Sequence, residues 1–226
     1  MTTVLLLRHG RTVANADGIL DGWLPDVHLD ETGRTQSEEA ARHLAEVRLR
    51  AMVTSPMERC RETAQFVAAR KRKDLPIHTE VDLAECRYGE WSGMSVEVLR
   101  KEPLWEVVDR HPSAARFPGG ESLGDMQARA VRAIRKWNRR LGENAAYVAV
   151  THGDVIKAII ADALGLHLDL FQRLQIDPGS VSVIRYTQTR PQVACVNITG
   201  GDLSRFSPGR RRKNTGDDAP LSRRSS

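Results

Sequence analysis

Short apolar runs alternate with charged, amphipathic segments along most of this chain, and that alternation limits the folds open to it. Residues 4–7, 51–54 and 147–151 are too short for buried helices and largely lack polar alternation, which is typical of strands buried on both faces. Weaker strand patterns occupy residues 77–81, 181–187 and 193–198. Strands that alternate with helices predict an α/β domain with a mostly parallel sheet.

Capping residues mark the ends of most of the predicted helices. One helix, over residues 34–48, is predicted from helical spacing alone. The other three have predicted N-caps: Ser55 (followed by Pro56 and Glu58), Ser122 (followed by Asp125) and Asp154. The last two of these helices are predicted to end at Gly142 and Gly165.

Three of the predicted strands lead directly into residues that can bind an anion. The first strand is followed by Arg8 and His9, and the strand that ends at Thr151 is followed by His152. Arg59 lies about one turn into the helix that follows the strand at 51–54. In parallel sheets, ligands bind beyond the carboxyl ends of the strands. If these three strands are neighbours, two arginines and two histidines meet in one crevice.

That combination suits a phosphate monoester. The planar guanidinium of arginine holds phosphate oxygens in bidentate geometry. A neutral, positioned imidazole can attack phosphorus, and a second, protonated histidine can stabilise charge on the equatorial oxygens. The leaving alcohol needs a proton from a carboxylic acid. The stretch LAECRYGEWSG offers Glu85 and Glu90 for that role.

These stretches together resemble the histidine phosphatase superfamily, also called phosphoglycerate mutase-like. The resemblance runs from about residue 4 to about residue 186. The matching stretches are RHGRTVAN, GWLPDVHLDETGRTQ, TSPMERCRETA, LAECRYGEWSG, FPGGES and VTHGDVIKA. The resemblance implies a three-layer sandwich, in which helices flank a mostly parallel central sheet.

The resemblance also implies roles for individual residues. It makes His9 the phosphorylated nucleophile and Glu85 the acid/base carboxylate. It assigns the substrate phosphate to four residues, namely Arg8, Asn15, Arg59 and His152, and adds Thr12 and Gly153 as minor candidates. It implies neither a metal ion nor a cofactor. The expected function is hydrolysis of a phosphomonoester, carried by a small metabolite, through a phosphohistidine intermediate.

Other functions remain open from sequence. Residues 92–118 form only a short insert, whereas the mutases of this superfamily have a longer one with extra basic residues, so we expect a phosphatase rather than a phosphoglycerate mutase-type phosphoryl transferase. A non-catalytic phosphate-binding module is a further alternative, although this chain keeps candidates for both the nucleophile and the acid.

The substrate is not predicted beyond its phosphate. Sugar phosphates, inositol phosphates, phosphoglycerates and nucleotides all fit the pattern. Asp154 departs from the mutase branch and could accept a hydrogen bond from a substrate hydroxyl. Six further residues are candidates for lining the pocket: Trp23, Arg87, Tyr88, Trp105, Arg116 and Phe117.

The basic excess of the chain lies in its last residues. The net charge is +5, but residues 204–226 hold seven of the 34 basic and two of the 29 acidic residues, so the remainder is formally neutral. We predict a domain over residues 1–203 and a disordered basic tail over 204–226, which could attract RNA or anionic lipid only weakly, through its charge. We expect no other nucleic-acid partner.

The remaining predictions concern location and assembly. No apolar stretch approaches the ~18 residues that span a bilayer, and no basic segment precedes the first apolar run. The three cysteines have no metal-site or redox-pair spacing. We therefore expect a cytoplasmic protein without a membrane partner, and a homodimer is compatible with the sequence.

Overall fold

In the part of the chain that the structure describes, the sheet has six strands, and most of them are parallel. A computed structural model describes residues 1–71 and 75–208. The strands are β1 (Thr2–Arg8), β2 (Ala51–Thr54), β3 (Ile77–Thr79), β4 (Ala146–Thr151), β5 (Val181–Tyr186) and β6 (Pro191–Ile198). Their order is β3-β2-β4-β1-β5-β6. The first four strands in that order are parallel, and β5 and β6 add antiparallel pairs.

Helices cover both faces of this sheet. They are α1 (Val13–Ala16), α2 (Glu31–Leu44), α3 (Glu58–Ala69), α4 (Val96–Leu99), α5 (Pro103–Arg110), α6 (Leu123–Leu141) and α7 (Gly153–Leu164). Alternate side chains of β1 point to opposite faces, so Leu5 and Leu7 pack with α2 and α3, whereas Leu6 packs with α6 and α7. The predicted α/β three-layer architecture is confirmed.

Two of the predicted helix starts are wrong. Helix α3 begins at Glu58 with Met57 as N-cap, and α7 begins at Gly153 with His152 as N-cap. Ser55 and Asp154 therefore do not have the predicted capping roles. By contrast, Ser122 and Asp125 form the predicted capping box of α6. Helix α2 begins earlier than predicted because Asp30 caps it, with Oδ1 accepting from Gly33 N at 2.7 Å.

The insert between the third strand and α6 contains structure that the sequence analysis did not predict. Helix α5 begins with Pro103 at its first position, where proline favours the start of a helix. Trp105 of this helix stacks on Trp91, with 6.1 Å between the ring centroids. Phe117 packs edge-on against Trp91 at 5.3 Å. These aromatic contacts attach the insert to the core.

Residues 204–208, which the sequence analysis assigned to the tail, pack against the domain. Phe206 is buried among the apolar residues on the α2–α3 face of the sheet. The Ser207 hydroxyl accepts a hydrogen bond from Arg48 N at 3.1 Å. The rest of the predicted tail, residues 209–226, lies outside the described residues. No helix in the described ranges is long and apolar enough to cross a membrane.

Candidate active site

The ends of three adjacent strands bring the predicted residues together. Strand β4 lies between β1 and β2, so residues that follow all three strands share one edge of the sheet. His9 follows β1 and His152 follows β4, and their ring centroids are 5.1 Å apart. Arg59, in the first turn of α3, is completely buried. The predicted crevice is therefore present.

His9 is held in the tautomer that a nucleophile needs. Its Nδ1 lies 2.7 Å from Gly10 O, and a carbonyl oxygen can only accept, so Nδ1 carries the hydrogen. The lone pair consequently lies on Nε2. Burial lowers the pKa of His9 well below its usual value, and the charges of Arg59 and Arg8 lower it further. The ring is therefore neutral at neutral pH.

Close backbone packing fixes the loop that carries His9. A Cβ atom on Gly10 would lie 2.2 Å from Gly33 O, so only glycine allows the N-terminus of α2 to approach this closely. Gly10 N also donates to Thr63 Oγ1 at 3.1 Å. Gly33 and Thr63, both within the matching stretches, thus help to position the loop.

Arg8 and Arg59 have buried N–H donors that lack a hydrogen-bond acceptor within the described residues. Arg59 donates to Gly22 O at 2.8 Å through NH2, and Arg8 donates to Ile176 O at 2.6 Å through NH1. Three other nitrogens are buried without a partner: Arg59 Nε, Arg59 NH1 and Arg8 Nε. Leaving buried charged donors unpaired is costly, so these nitrogens indicate a place for an oxyanion.

Gly153 gives Arg8 its room. A Cβ at this position would lie 3.3 Å from both Nε and Cζ of Arg8, which is a tight contact. Gly153 is also the first residue of α7, where helix N–H groups have no partner within the helix and favour negative charge. Gly153 could therefore assist phosphate binding in two ways, by leaving space for Arg8 and by placing its N–H group at the start of α7.

Thr12 and Asn15 support each other in a capping box. The Thr12 hydroxyl accepts from Asn15 N at 3.1 Å, and Asn15 Oδ1 accepts from Thr12 N at 3.2 Å. Thr12 is fully buried and acts on the backbone of α1. Because the oxygen of the Asn15 amide is used locally, its NH₂ group is the part that can donate to a phosphate.

Glu85 is a buried carboxyl next to the histidines. Its Oε1 accepts from Cys86 N at 2.9 Å, and its Oε2 lies 3.8 Å from Nδ1 of His152. Burial, followed by the charge of Asp154, raises the pKa of Glu85 to about 7. Such a carboxyl can give a proton near neutral pH. Glu90 is exposed on the other side of Gly89.

An arginine that the sequence analysis missed holds the backbone beneath Glu85. Arg129 of α6 donates to three backbone carbonyl oxygens, those of Asp82, Ala84 and Glu85, at 2.8 to 2.9 Å. It also pairs with Glu121 at 2.6 Å. Arg129 occurs among several arginines on one helix, and nothing in the sequence distinguishes it from them.

The protonation state of His152 differs from the prediction. Its Nε2 lies 2.8 Å from the hydroxyl of Ser55, so the predicted capping residue contacts the histidine instead. Burial, then the charge of Arg59, lowers the pKa of His152 well below its usual value. The ring is therefore neutral without a ligand, not protonated as the sequence analysis supposed. A bound phosphate would add the negative charge that favours protonation.

A small cavity of about 90 Å³ lies beside Asp154 and Tyr88. Of the six candidate pocket residues, Tyr88, Trp105 and Phe117 line it, and Asp154 also contributes. The remaining three do not line this cavity: the guanidinium of Arg87 stacks on Trp23 at 4.3 Å, and Arg116 pairs with Asp125 at 2.7 Å on the surface.

Comparison with known proteins identifies the family. The model for the histidine phosphatase superfamily, branch 1, matches residues 4–199. The chain belongs to this superfamily. Phosphoserine phosphatase 1 of Hydrogenobacter thermophilus is 32% identical over 201 residues, which cover 88% of this chain and 93% of that protein.

Two solved structures show the same histidine phosphatase fold. YhfR of Bacillus stearothermophilus is 29% identical and superposes with a TM-score of 0.80, covering 92% of this chain and 100% of that chain. A mycobacterial glucosyl-3-phosphoglycerate phosphatase, solved as a complex with VO3, is 26% identical with a TM-score of 0.77 and covers 86% and 98% of the two chains.

Within this histidine phosphatase fold, the described residues show no metal centre. No group of three or more His, Cys, Asp or Glu side chains in residues 1–71 and 75–208 is placed to hold a metal ion. The charges of Arg8 and Arg59 act on both histidines of the crevice.

Proposed function

We propose that this chain hydrolyses a small phosphomonoester through a phosphohistidine formed on His9. One observation carries the proposal. The lone pair of His9 is directed to Nε2 by the Nδ1 contact to Gly10, beside a group of buried guanidinium nitrogens that lack acceptors. A nucleophile and an unfilled oxyanion site in one crevice are what phosphoryl transfer to an imidazole requires.

The first step transfers the phosphoryl group to the enzyme. Nε2 of His9 attacks phosphorus in line, and an N–P bond forms as the ester P–O bond breaks. The phosphate oxygens are bound by the four predicted phosphate ligands, which are Arg8, Arg59, Asn15 and His152. The carboxyl of Glu85 gives its proton to the leaving oxygen, which departs as an alcohol.

The second step returns the enzyme to its starting state. The Glu85 carboxylate removes a proton from a water molecule while the oxygen of that water attacks phosphorus. The N–P bond breaks, its electron pair returns to Nε2 of His9, and inorganic phosphate leaves. Glu85 regains the proton that it gave up, so the cycle consumes only the ester and water.

Several observations favour a hydrolase acting on a small metabolite. Relatives named as phosphatases match most of the chain. The cavity of about 90 Å³ is small, and its lining includes Asp154 and Tyr88, whose Oδ2 and hydroxyl oxygen lie 3.4 Å apart. Asp154 can accept from a hydroxyl on the leaving group. Arg116 pairs with Asp125 on the surface and does not line this cavity.

The covalent step is tested by replacing the nucleophile. His9→Ala should fold and lose nearly all phosphate release across a panel of sugar, inositol, nucleoside and glycerate phosphates. His111→Ala, at an exposed histidine, is the matched control and should keep full activity. The wild type should show acid-labile, base-stable phosphorylation during turnover. Substantial activity in His9→Ala would refute the covalent mechanism, and isomerisation of 3-phosphoglycerate without phosphate release would indicate a mutase.

A second arm of the same assay tests metal dependence. Arg8 and Arg59 supply the positive charge at the crevice, so we expect activity to survive EDTA. Orthovanadate mimics a five-coordinate phosphorus and should inhibit strongly. Loss of activity in EDTA and recovery with Mg²⁺ or Zn²⁺ would contradict this part of the proposal.

We propose a cytoplasmic protein whose physiological ligand is the metabolite, and a homodimer remains compatible with it. Weak nucleic-acid binding by the basic tail is testable by a gel shift in low and high salt, with a chain that ends at residue 208 as the control.

A further inference from the structure

One carboxyl in the crevice is not used by the proposed mechanism. Asp21 lies in the loop after α1 and is only 7% exposed. Its Oδ1 is 3.6 Å from NH2 of Arg59, which is too far for a good hydrogen bond. Its Oδ2 is buried and has no hydrogen-bond partner. A buried carboxyl oxygen left unpaired is costly, so a ligand group is expected to meet it.

The surroundings of Asp21 place it at the phosphate site. The charged groups that act on it are Arg59, which belongs to α3, and Arg8, which ends β1. Two further titratable groups of the crevice, Glu85 and Cys60, are affected by its charge in turn, as is Tyr88. The backbone N–H groups of Asp21 and Gly22 also lie near the carboxyl. Charged groups of both α3 and β1 therefore interact with Asp21.

The protonation state of Asp21 decides what it can bind. As a carboxylate it would repel a phosphate held by the same two arginines. As a neutral carboxyl it has an O–H group that can donate to a phosphate oxygen. The unpaired Oδ2 is the atom available to carry that hydrogen.

We propose that Asp21 is a phosphate ligand in its protonated form, so that the site takes up one proton on Asp21 when phosphate binds. Burial raises the pKa of Asp21 above its usual value, and the dianion would raise it further. This inference rests on the proposed function only in requiring that the crevice bind phosphate.

Titration calorimetry with inorganic phosphate measures the proton directly. The full-length protein is titrated from about pH 6 to about pH 9, in pairs of buffers that differ in ionisation enthalpy, to obtain the number of protons taken up. The comparison is between wild type and Asp21→Asn, because asparagine donates without needing a proton. Proton uptake by phosphate itself and by His152 is common to both proteins and cancels in the difference.

The expected result has two parts. Above the pKa of free Asp21, the wild type should take up about one proton more than Asp21→Asn. The ratio of the two dissociation constants should then grow about tenfold per pH unit in favour of the variant. Equal proton uptake at every pH would overturn the inference while leaving the proposed function intact. Failure of phosphate to bind the wild type at all would count against the proposed function instead.

A second variant separates donation from simple loss of charge. Asp21→Ala removes the negative charge but cannot donate, so it should bind phosphate about tenfold more weakly than Asp21→Asn. Equal affinity of the two variants would mean that Asp21 acts only through its charge, and the inference would fail.

A measurement that leaves Asp21 unchanged covers the case in which neither variant folds. In the Glu85→Gln background, the infrared difference spectrum on phosphate binding should gain a protonated-carboxyl C=O band. Its absence would refute the protonated form.

Discussion

Oε2 of Glu85 lies 3.8 Å from Nδ1 of His152, and both side chains are buried. At this distance the two would form an ion pair if both were charged. The directions of their pKa shifts argue otherwise, because the pKa of Glu85 is raised to about 7 and that of His152 is lowered well below its usual value. Before substrate binds, His152 is therefore neutral near pH 7, and a substantial fraction of Glu85 carries a proton.

The first prediction concerns the leaving group. Glu85→Gln keeps the size of the side chain but cannot deliver a proton. With an alkyl phosphate, formation of the phosphohistidine should slow by about 10²- to 10⁴-fold. With p-nitrophenyl phosphate, whose leaving group needs little protonation, the same step should slow far less. Single-turnover experiments are the appropriate measurement, since Glu85 also assists the later attack by water.

Glu90→Gln is the matched control, because Glu90 is exposed and lies five residues further along the same segment. It should change neither substrate's rate. If Glu90→Gln shows the dependence on leaving group and Glu85→Gln does not, the acid has been assigned to the wrong carboxylate.

The second prediction links Glu85 to stability. Its pKa is about 7 in the folded chain, above the ordinary value of 4.5. The proton is therefore held more tightly in the folded state, and the associated stability is present at low pH and lost as the pH rises through about 7. Relative to Glu85→Gln, the free energy of unfolding of the wild type should fall by about 3 kcal/mol across this range.

Urea denaturation at about pH 4.5 and about pH 8 measures this difference. Glu90→Gln again serves as the control, and its difference from the wild type should not change with pH. A constant difference between wild type and Glu85→Gln would show that Glu85 is not perturbed by burial.

The sequence predicts well which side chains meet in the crevice, because strand ends are local features. His9 and His152 each follow a short apolar run, and a parallel sheet brings such positions to one edge whatever the rest of the chain does. The sequence does not give the order of the strands. The structure shows that β4 lies between β1 and β2.

A local sequence pattern does not predict contacts between segments that are far apart in the chain. Ser55 has the residues of a capping box around it, yet its hydroxyl contacts His152, which is 97 residues away. The sequence around Asp21 is typical of an exposed loop, whereas the structure shows that its side chain is buried and lies near Arg59. Arg129 acts on carbonyl oxygens 44 to 47 residues earlier, where nothing in the local sequence points to it.

The third prediction makes Arg129 a positioning residue. Arg129→Met keeps the aliphatic stem but removes the donors to the backbone that carries Glu85. We expect kcat for an alkyl phosphate to fall by about 10- to 100-fold with a smaller change in KM, because the acid is displaced. The loss should be smaller for p-nitrophenyl phosphate, which a purely structural role would not produce.

Arg132 supplies the control for this variant. It lies one turn further along α6, its side chain is 63% exposed, and it reaches Asp82 only at 3.6 Å. Arg132→Met should leave both rates unchanged. Equal losses for the two phosphate esters in Arg129→Met would indicate that the residue stabilises the fold without positioning the acid.

The fourth prediction concerns the end of the domain. Phe206 is buried on the α2–α3 face, and Arg48 bonds to both Ser207 and Pro208. A chain that ends at residue 208 should therefore unfold like the full-length protein, whereas a chain that ends at residue 203 should lose about 3 kcal/mol of stability. Phe206→Ala should reproduce most of that loss, and Phe206→Leu, which retains an apolar side chain, should lose much less. Denaturant unfolding of these four variants and of the full-length protein measures these differences. If the chain that ends at residue 203 is as stable as the full length, the contacts of Phe206 contribute nothing and the domain does end at residue 203, as its composition first suggested.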